Sequence, residues 1–128
     1  MNIERMNIIH IASKLAPIAK VGGVGDVVSG LAKDSIHQGH QVEIILPKYN
    51  YIDEKPLKNL KVAHQIWSSD SSNTYLNTIW SATLENLKVL LLESHHPNDF
   101  YNRGKIYGCS DDIDRFIYFS KDVLNFLF

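Results

Sequence analysis

Between residues 7 and 47 the chain runs strand, helix, strand, and this alternation restricts the fold more than any other feature. Asn7 to Ala12 is short, β-branched and almost wholly apolar, the pattern of a strand covered on both faces. A loop containing Pro17 leads to glycines at Gly22, Gly23 and Gly25. Val24, Val27, Val28, Leu31, Ala32 and Ile36 then recur at helical spacing. Gly39 supplies the left-handed position that commonly closes a helix. Gln41 to Leu46 is a second apolar strand, ended by Pro47. Such a βαβ unit requires a parallel pair joined by a right-handed crossover. The expected fold class is therefore α/β, a Rossmann-like sandwich about a parallel sheet, with ligands beyond the carboxyl ends of the strands.

Signals downstream are uneven. Tyr49 to Asn59 turns polar around Pro56 and reads as a surface excursion. Lys61 to Trp67 and Thr74 to Ala82 are weaker strand patterns, whereas Leu84 to Leu92 is apolar enough for another central strand. A polar loop from Glu93 to Gly108 precedes a helix over Asp111 to Phe128. Its expected inward face is Ile113, Phe116, Ile117, Ser120, Leu124 and Leu127, with acidic residues at its start answering the helix dipole. Nothing in Asn125 to Phe128 closes this helix. A sheet with so few parallel strands leaves it unaccompanied, so the sequence is expected to be the amino-terminal part of something larger. The apolar end at Phe126 to Phe128 is expected to favour self-association.

Composition narrows the function. With 128 residues the chain is expected to form one domain at most. Thirteen Lys and Arg against 14 Asp and Glu give a net charge of −1, so counterion release from nucleic acid has no source. The single Cys109 permits neither an internal disulfide nor a cysteine metal set, and a reducing, cytoplasmic compartment is expected. Glu4 and His10 interrupt the start of the chain, so neither a signal peptide nor a membrane span is expected. Met-Asn-Ile occurs at both Met1 and Met6, and the leader before Met6 reads as dispensable.

Lys20-Val-Gly-Gly-Val-Gly-Asp26 is the stretch that best carries chemistry. Glycines let backbone N–H groups approach a ligand, and a helix start adds partial positive charge, so an anion fits there with the Lys20 ammonium beside it. A tight turn with a solvated lysine fits the same spacing. A dinucleotide fingerprint does not, because the glycines begin ten residues after Ala12 and lack the Gly-x-Gly-x-x-Gly spacing, while Glu43 lies inside its strand. His95 and His96 are adjacent and do not share a strand face, which argues against a metal site. His10 reads as a hydrogen-bonded core histidine. Asp26 reads as a helix-start residue, and Phe116, Phe119 and Phe126 as core or interface. Asp111, Asp112 and Asp114 read as first-turn acids, with Arg115 able to pair with Asp111 four residues back.

Three segments carry a resemblance to a known family. His10-Ile-Ala-Ser-Lys-Leu-Ala-Pro-Ile-Ala-Lys-Val-Gly-Gly-Val-Gly-Asp26, within Ile9 to Val28, resembles the amino-terminal signature of bacterial glycogen synthases and plant starch synthases. Gly39 to Pro47 is similar to that family's second strand. Ile106-Tyr-Gly-Cys-Ser-Asp-Asp-Ile-Asp-Arg-Phe116 is similar to its Tyr-Gly, Asp-Asn and Arg-Phe segment. Tyr49 to Glu93 matches weakly.

The resemblance implies the amino-terminal, acceptor-side half of a GT-B glycosyltransferase. Such an enzyme transfers glucose from ADP-glucose to the non-reducing end of an α-1,4-glucan such as glycogen, with retention. It implies that Lys20, Gly22 and Gly23 bind ADP-glucose, that no cofactor or metal is needed, and that no catalytic residue lies within 1–128. The family's following His-Asp-Trp segment and its nucleotide-sugar domain are not in the sequence, which implies inactivity of the chain alone. Lys14 stands where family members usually carry an acid, Asp111-Asp112 replaces Asp-Asn, and Val24 replaces a leucine. The alternative reading is a non-catalytic carbohydrate- or nucleotide-binding module.

Overall fold

The βαβ unit forms where the alternation places it. A computed structural model describes residues 4–69 and 72–128, so the first Met-Asn-Ile copy lies outside the described residues. The elements are β1 (Asn7–Ile11), α1 (Val24–His37), β2 (Gln41–Pro47), β3 (Leu57–Ser69), β4 (Thr74–Leu84), β5 (Leu87–Ser94) and α2 (Asp112–Leu127). The five-stranded sheet has the order β1-β2-β5-β4-β3. β1, β2 and β5 run parallel, and β4 and β3 continue the sheet as an antiparallel hairpin. Gly39 closes α1 as expected: its φ is +94° and its N–H donates to the Ile36 carbonyl at 2.9 Å.

The core lies on β2 and β5, where Ile44, Ile45, Leu46, Val89, Leu91 and Leu92 are fully buried. Each such side chain contributes about 1.5–3 kcal/mol by leaving water. β1 differs from its expectation of burial on both faces. It is an edge strand among the described residues, and Ile9 and Ile11 are exposed. Val24, Val27 and Leu31 of α1 are exposed too, because that helix turns Gly25, Ser29 and Ala32 inward.

The hairpin makes the sheet mixed. β3 is wet along most of its length and its register slips twice, which accounts for its weak pattern. The segment after Pro47 is no simple surface excursion, since Tyr49 is buried. The loop after Ser94 is likewise anchored, by buried Phe100, Tyr101 and Ile106.

α2 shows the largest departure. Its buried residues are Arg115, Phe119, Asp122 and Val123, while Ile113 is 77% exposed and Ile117 and Leu124 also face outward. An inward face assigned by apolar residues alone comes out rotated about the helix axis. Phe119 is core, with Phe116 and Phe126 packed partly against it. Among the described residues no helix is long and apolar enough to cross a membrane.

Candidate functional site

Past the carboxyl end of β1 the chain makes a tight turn, in which Leu15 and Ala19 exchange backbone hydrogen bonds at 2.9 and 2.8 Å. The Ala16 N–H donates to the Gly25 carbonyl at 3.1 Å, tying this turn to the start of α1. A Cβ on Gly25 would lie 3.2 Å from the Ala16 nitrogen, a backbone atom that cannot yield cheaply. Gly25 therefore serves packing. Gly22 and Gly23 are different: both are exposed and face open space, and Gly22 has φ +69°. Gly22→Ala should lower unfolding free energy by about 1 kcal/mol through left-handed strain. Gly23→Ala should stay within about 0.5 kcal/mol of the parent. Urea denaturation of the two variants measures both.

Lys20 sits at the mouth of this loop, half exposed, with Nζ 2.8 Å from Asp26 Oδ2. Asp26 lies in the first turn of α1 without making a side-chain cap, so its observed work is this ion pair. Lys14 is buried. Its Nζ donates to the Val21 carbonyl at 2.8 Å and lies 4.8 Å from the centroid of the Tyr107 ring. A carboxylate at position 14 would be unable to donate that bond. The Tyr107 hydroxyl is hydrogen-bonded to Ser13 Oγ, and the Tyr49 hydroxyl donates to the Ser13 carbonyl at 2.7 Å. Burial pushes the Tyr49 hydroxyl well above the ordinary tyrosine range, which keeps it a donor. The glycine loop, the end of β1 and the Tyr107 segment thus meet at the carboxyl edge of the parallel strands.

The acids at the start of α2 hold structure. Asp111 accepts two 2.8 Å bonds from Arg103, whose guanidinium holds the carboxyl below its usual range. Asp112 accepts from the Gly108 N–H at 2.8 Å and the Cys109 N–H at 3.0 Å, with the Gly108 bond the main cause of its lowered pKa. Arg115 pairs with Asp112 and not with Asp111, the partner that spacing suggests, because Arg103 already occupies Asp111. Glu43 pairs with Lys88 across β2 and β5 at 3.1 Å.

His95 and His96 part company. His95 meets Thr78 Oγ1 at 3.0 Å, whereas His96 is buried against Tyr75, Phe100 and Tyr118. The expected hydrogen bond of His10 is not found at Nε2, which is buried without a partner among the described residues. Ser13, Tyr49 and the packing of Lys14 on Tyr107 escape sequence reasoning. The available signal is a tyrosine two residues beyond Pro47, at the same sheet edge as the glycines.

Known proteins resemble this chain in sequence and in fold. The family model described as the starch synthase catalytic domain matches residues 7–127. Glycogen synthase from Protochlamydia amoebophila (strain UWE25) is 49% identical over 124 residues, covering 96% of this chain and 25% of that protein. Probable starch synthase 4 of Arabidopsis thaliana is 45% identical over 121 residues, covering 94% of this chain and 12% of that protein. The catalytic domain of starch synthase IV from Arabidopsis thaliana, solved bound to ADP and acarbose, matches with a TM-score of 0.93 at 43% identity. That match covers 97% of this chain and 25% of the solved one. The chain therefore spans about a quarter, or less, of the length of these relatives.

Proposed function

The chain belongs to the starch synthase catalytic domain family, and we propose that it forms the amino-terminal, acceptor-side part of a glucosyltransferase using ADP-glucose and an α-1,4-glucan such as glycogen. In this reading glucose passes to the non-reducing end of the glucan with retained configuration, in a cytoplasmic compartment and without a cofactor or metal. One observation supports it above the rest: Gly22 and Gly23 open onto space at the carboxyl edge of the sheet, with the Lys20 ammonium at the same mouth.

The chemistry asks for such an arrangement. As the glycosidic bond to the nucleotide breaks, negative charge grows on the departing diphosphate. Fixed amides and a cation aimed at that charge stabilise the transition state more than the ground state. Lys20 is paired with Asp26 at rest, but both side chains are half exposed. A pair of that kind is worth no more than about 1 kcal/mol, so a doubly charged diphosphate competes for the ammonium easily. Asp26 then keeps Lys20 at the loop mouth without withholding it.

Transfer is proposed for this chain together with the remaining length found in its relatives, and the chain alone is expected to bind without turnover. The test joins 1–128 to the remainder of a relative and assays glucose transfer. Lys20→Ala in that protein should reduce kcat/KM for ADP-glucose by about 10²-fold, the scale of losing one preorganised transition-state contact, with the KM for glucan little changed. Parental kinetics in the variant would remove Lys20 from the mechanism. Saturable binding by the isolated chain, with no transfer in the joined protein, would favour a binding module.

A further inference from the structure

Lys14 carries a charge whose place in the fold the reaction above does not use. The residue is only 6% exposed. The lysines that pair with acids among the described residues are Lys20, Lys33, Lys48 and Lys88, and Lys14 is not one of them. Burying an ammonium without a counter-charge is costly. What Lys14 holds instead is the Val21 carbonyl, at 2.8 Å from Nζ. Its other neighbour is the Tyr107 ring, 4.8 Å away at the centroid. That ring is itself fixed, by its hydroxyl contact to Ser13 and by Phe116 at 5.5 Å between centroids.

The Val21 carbonyl shares one rigid plane with the Gly22 N–H, and in a trans peptide the two point in opposite directions. Among the described residues the one cis bond is Ala16–Pro17, so the Val21–Gly22 unit is trans. Its oxygen is turned to the buried Lys14, which turns the Gly22 N–H the other way, onto the open space beside the glycines. No backbone acceptor among the described residues takes that N–H. Glycine adopts either sign of φ with similar ease, so a loop of glycines alone leaves such a peptide free to flip. The Lys14 bond removes that freedom. A positive charge at the oxygen also polarises the peptide and makes its N–H a stronger donor.

We propose that Lys14 is a positioning residue for the donor: its ammonium aims and polarises the Gly22 N–H towards the departing diphosphate. The identity of that anion rests on the glucosyltransferase reading; the direction of the peptide rests on the contact itself. Lys14 does not touch the ligand in this scheme, and acts through the amide. Lys20, on the other side of Val21, supplies its ammonium from the half-exposed mouth. Donors fixed before charge develops need no reorganisation as the bond breaks, which is where they gain their effect. The resemblance places an acid at position 14 in family members, so this device belongs to the present chain and not to the family at large.

Amide resonances of the 128-residue chain report the peptide directly. Lys14→Met loses both charge and donor. It should move the Gly22 amide proton upfield while Gly30 and Gly104, elsewhere in the chain, stay in place. Its melting temperature should fall no more than a few degrees, because the change also removes a buried charge. Inorganic pyrophosphate titrated into the parent should shift the Gly22 amide saturably. Lys14→Met should raise the dissociation constant about tenfold, the scale of weakening one charge-assisted hydrogen bond. Lys14→Arg still donates to the carbonyl and stacks on the ring, and should bind close to the parent. Lys14→Gln, a neutral donor, should fall between. If methionine unfolds the chain, the arginine and glutamine variants carry the test, with glutamine the weaker by several-fold.

Parental affinity in Lys14→Met overturns the proposal. So does an arginine variant as weak as the methionine one, or a parent chain with no saturable response at Gly22. In the joined protein of the preceding section, Lys14→Met should lower kcat/KM for ADP-glucose by a similar factor and leave the KM for glucan unchanged. Transfer with parental ADP-glucose kinetics in that variant sinks the role of Lys14 alone. Absence of transfer, with pyrophosphate binding that still follows residue 14, sinks the enzymatic reading alone.

Discussion

Replacing Arg115 by methionine will destabilise the fold by about 3–5 kcal/mol, the cost typical of breaking a buried, hydrogen-bonded charge network. The guanidinium is fully buried and reaches the Phe100 carbonyl at 2.6 Å, the Ile106 carbonyl at 2.9 Å and Asp112 Oδ1 at 2.8 Å. Methionine fills much of the volume but donates nothing, so two buried carbonyls lose their partner and Asp112 loses its counter-charge while keeping the Gly108 and Cys109 N–H donors. Each buried orphan costs roughly 1–3 kcal/mol. Lysine will not rescue the site, because a single ammonium cannot reproduce the planar fork that spans two carbonyls and a carboxylate. Loss of this magnitude is a large share of the roughly 5–15 kcal/mol that holds a domain together.

The loop from 95 to 108 should open first, since Arg115 is the most deeply buried of the ties that hold it to α2. Urea denaturation gives the total, and hydrogen exchange at Tyr101 to Ile106 gives the order of events. Arg103→Ala supplies the contrast. That arginine also grips an acid, Asp111, but at a partly exposed site, and its loss should cost only a small fraction of what Arg115 does. Equal effects from the two arginines would show that burial is not what gives Arg115 its weight.

Arg115 also marks where the sequence can and cannot be read. β2 and β5 are covered on both faces and spell that out as nearly unbroken apolar runs. β1 has a similar composition yet lies at an edge with Ile9 and Ile11 exposed, because an apolar run says which residues avoid water and not which strand lies beside them. β3 is faint for the opposite reason: a wet edge strand has no alternation to display. The inward face of α2 is misplaced by stripe reading because that rule sends charges outward. Arg115 and Asp122 go inward, one to satisfy loop carbonyls and the other to accept from Ser68.

The candidate site divides in the same way. Lys20, Gly22 and Gly23 are near neighbours in the chain, and glycines before a helix announce a loop with free amides. The contacts made by Ser13 join it to residues 36 and 94 positions away. Nothing local encodes such a meeting. Only the parallel order of β1, β2 and β5, which delivers every carboxyl end to one edge, makes it foreseeable in outline.

Asp122→Asn should gain stability on the parent as pH rises through the window in which the parent's buried carboxyl resists ionisation. Asp122 is 2% exposed; its Oδ1 accepts from Ser68 Oγ, while Oδ2 is buried with no partner among the described residues. Burial pushes its pKa from 3.8 to about 6, against smaller opposing contributions from hydrogen bonds with Ser68 and Tyr118. Below pH 3.8 both folded and unfolded chains carry the proton, and the group does not bias folding. Between 3.8 and about 6 the unfolded chain releases its proton while the folded chain keeps it. Stability from this group is therefore lost as pH rises through that window, and does not return above it.

At about 1.4 kcal/mol per pH unit, the difference of about two units is worth roughly 3 kcal/mol. Asparagine does not titrate and still offers an oxygen to Ser68, so the variant should escape that decline. Its amide nitrogen inherits the unpartnered place, a penalty of about 1–3 kcal/mol that is the same at every pH. Asp111 and Asp112, whose pKa values are lowered, pull the other way, with stability present above the usual carboxylate range and lost on acidification. They are common to both proteins and cancel in the comparison. Unfolding free energies of parent and variant are to be measured by urea at steps between about pH 4 and 7. Across that range Asp122→Asn should gain roughly 3 kcal/mol on the parent, the scale set by the pKa difference. Parallel curves would mean that Asp122 is ionised in the folded chain throughout, with its second oxygen hydrated.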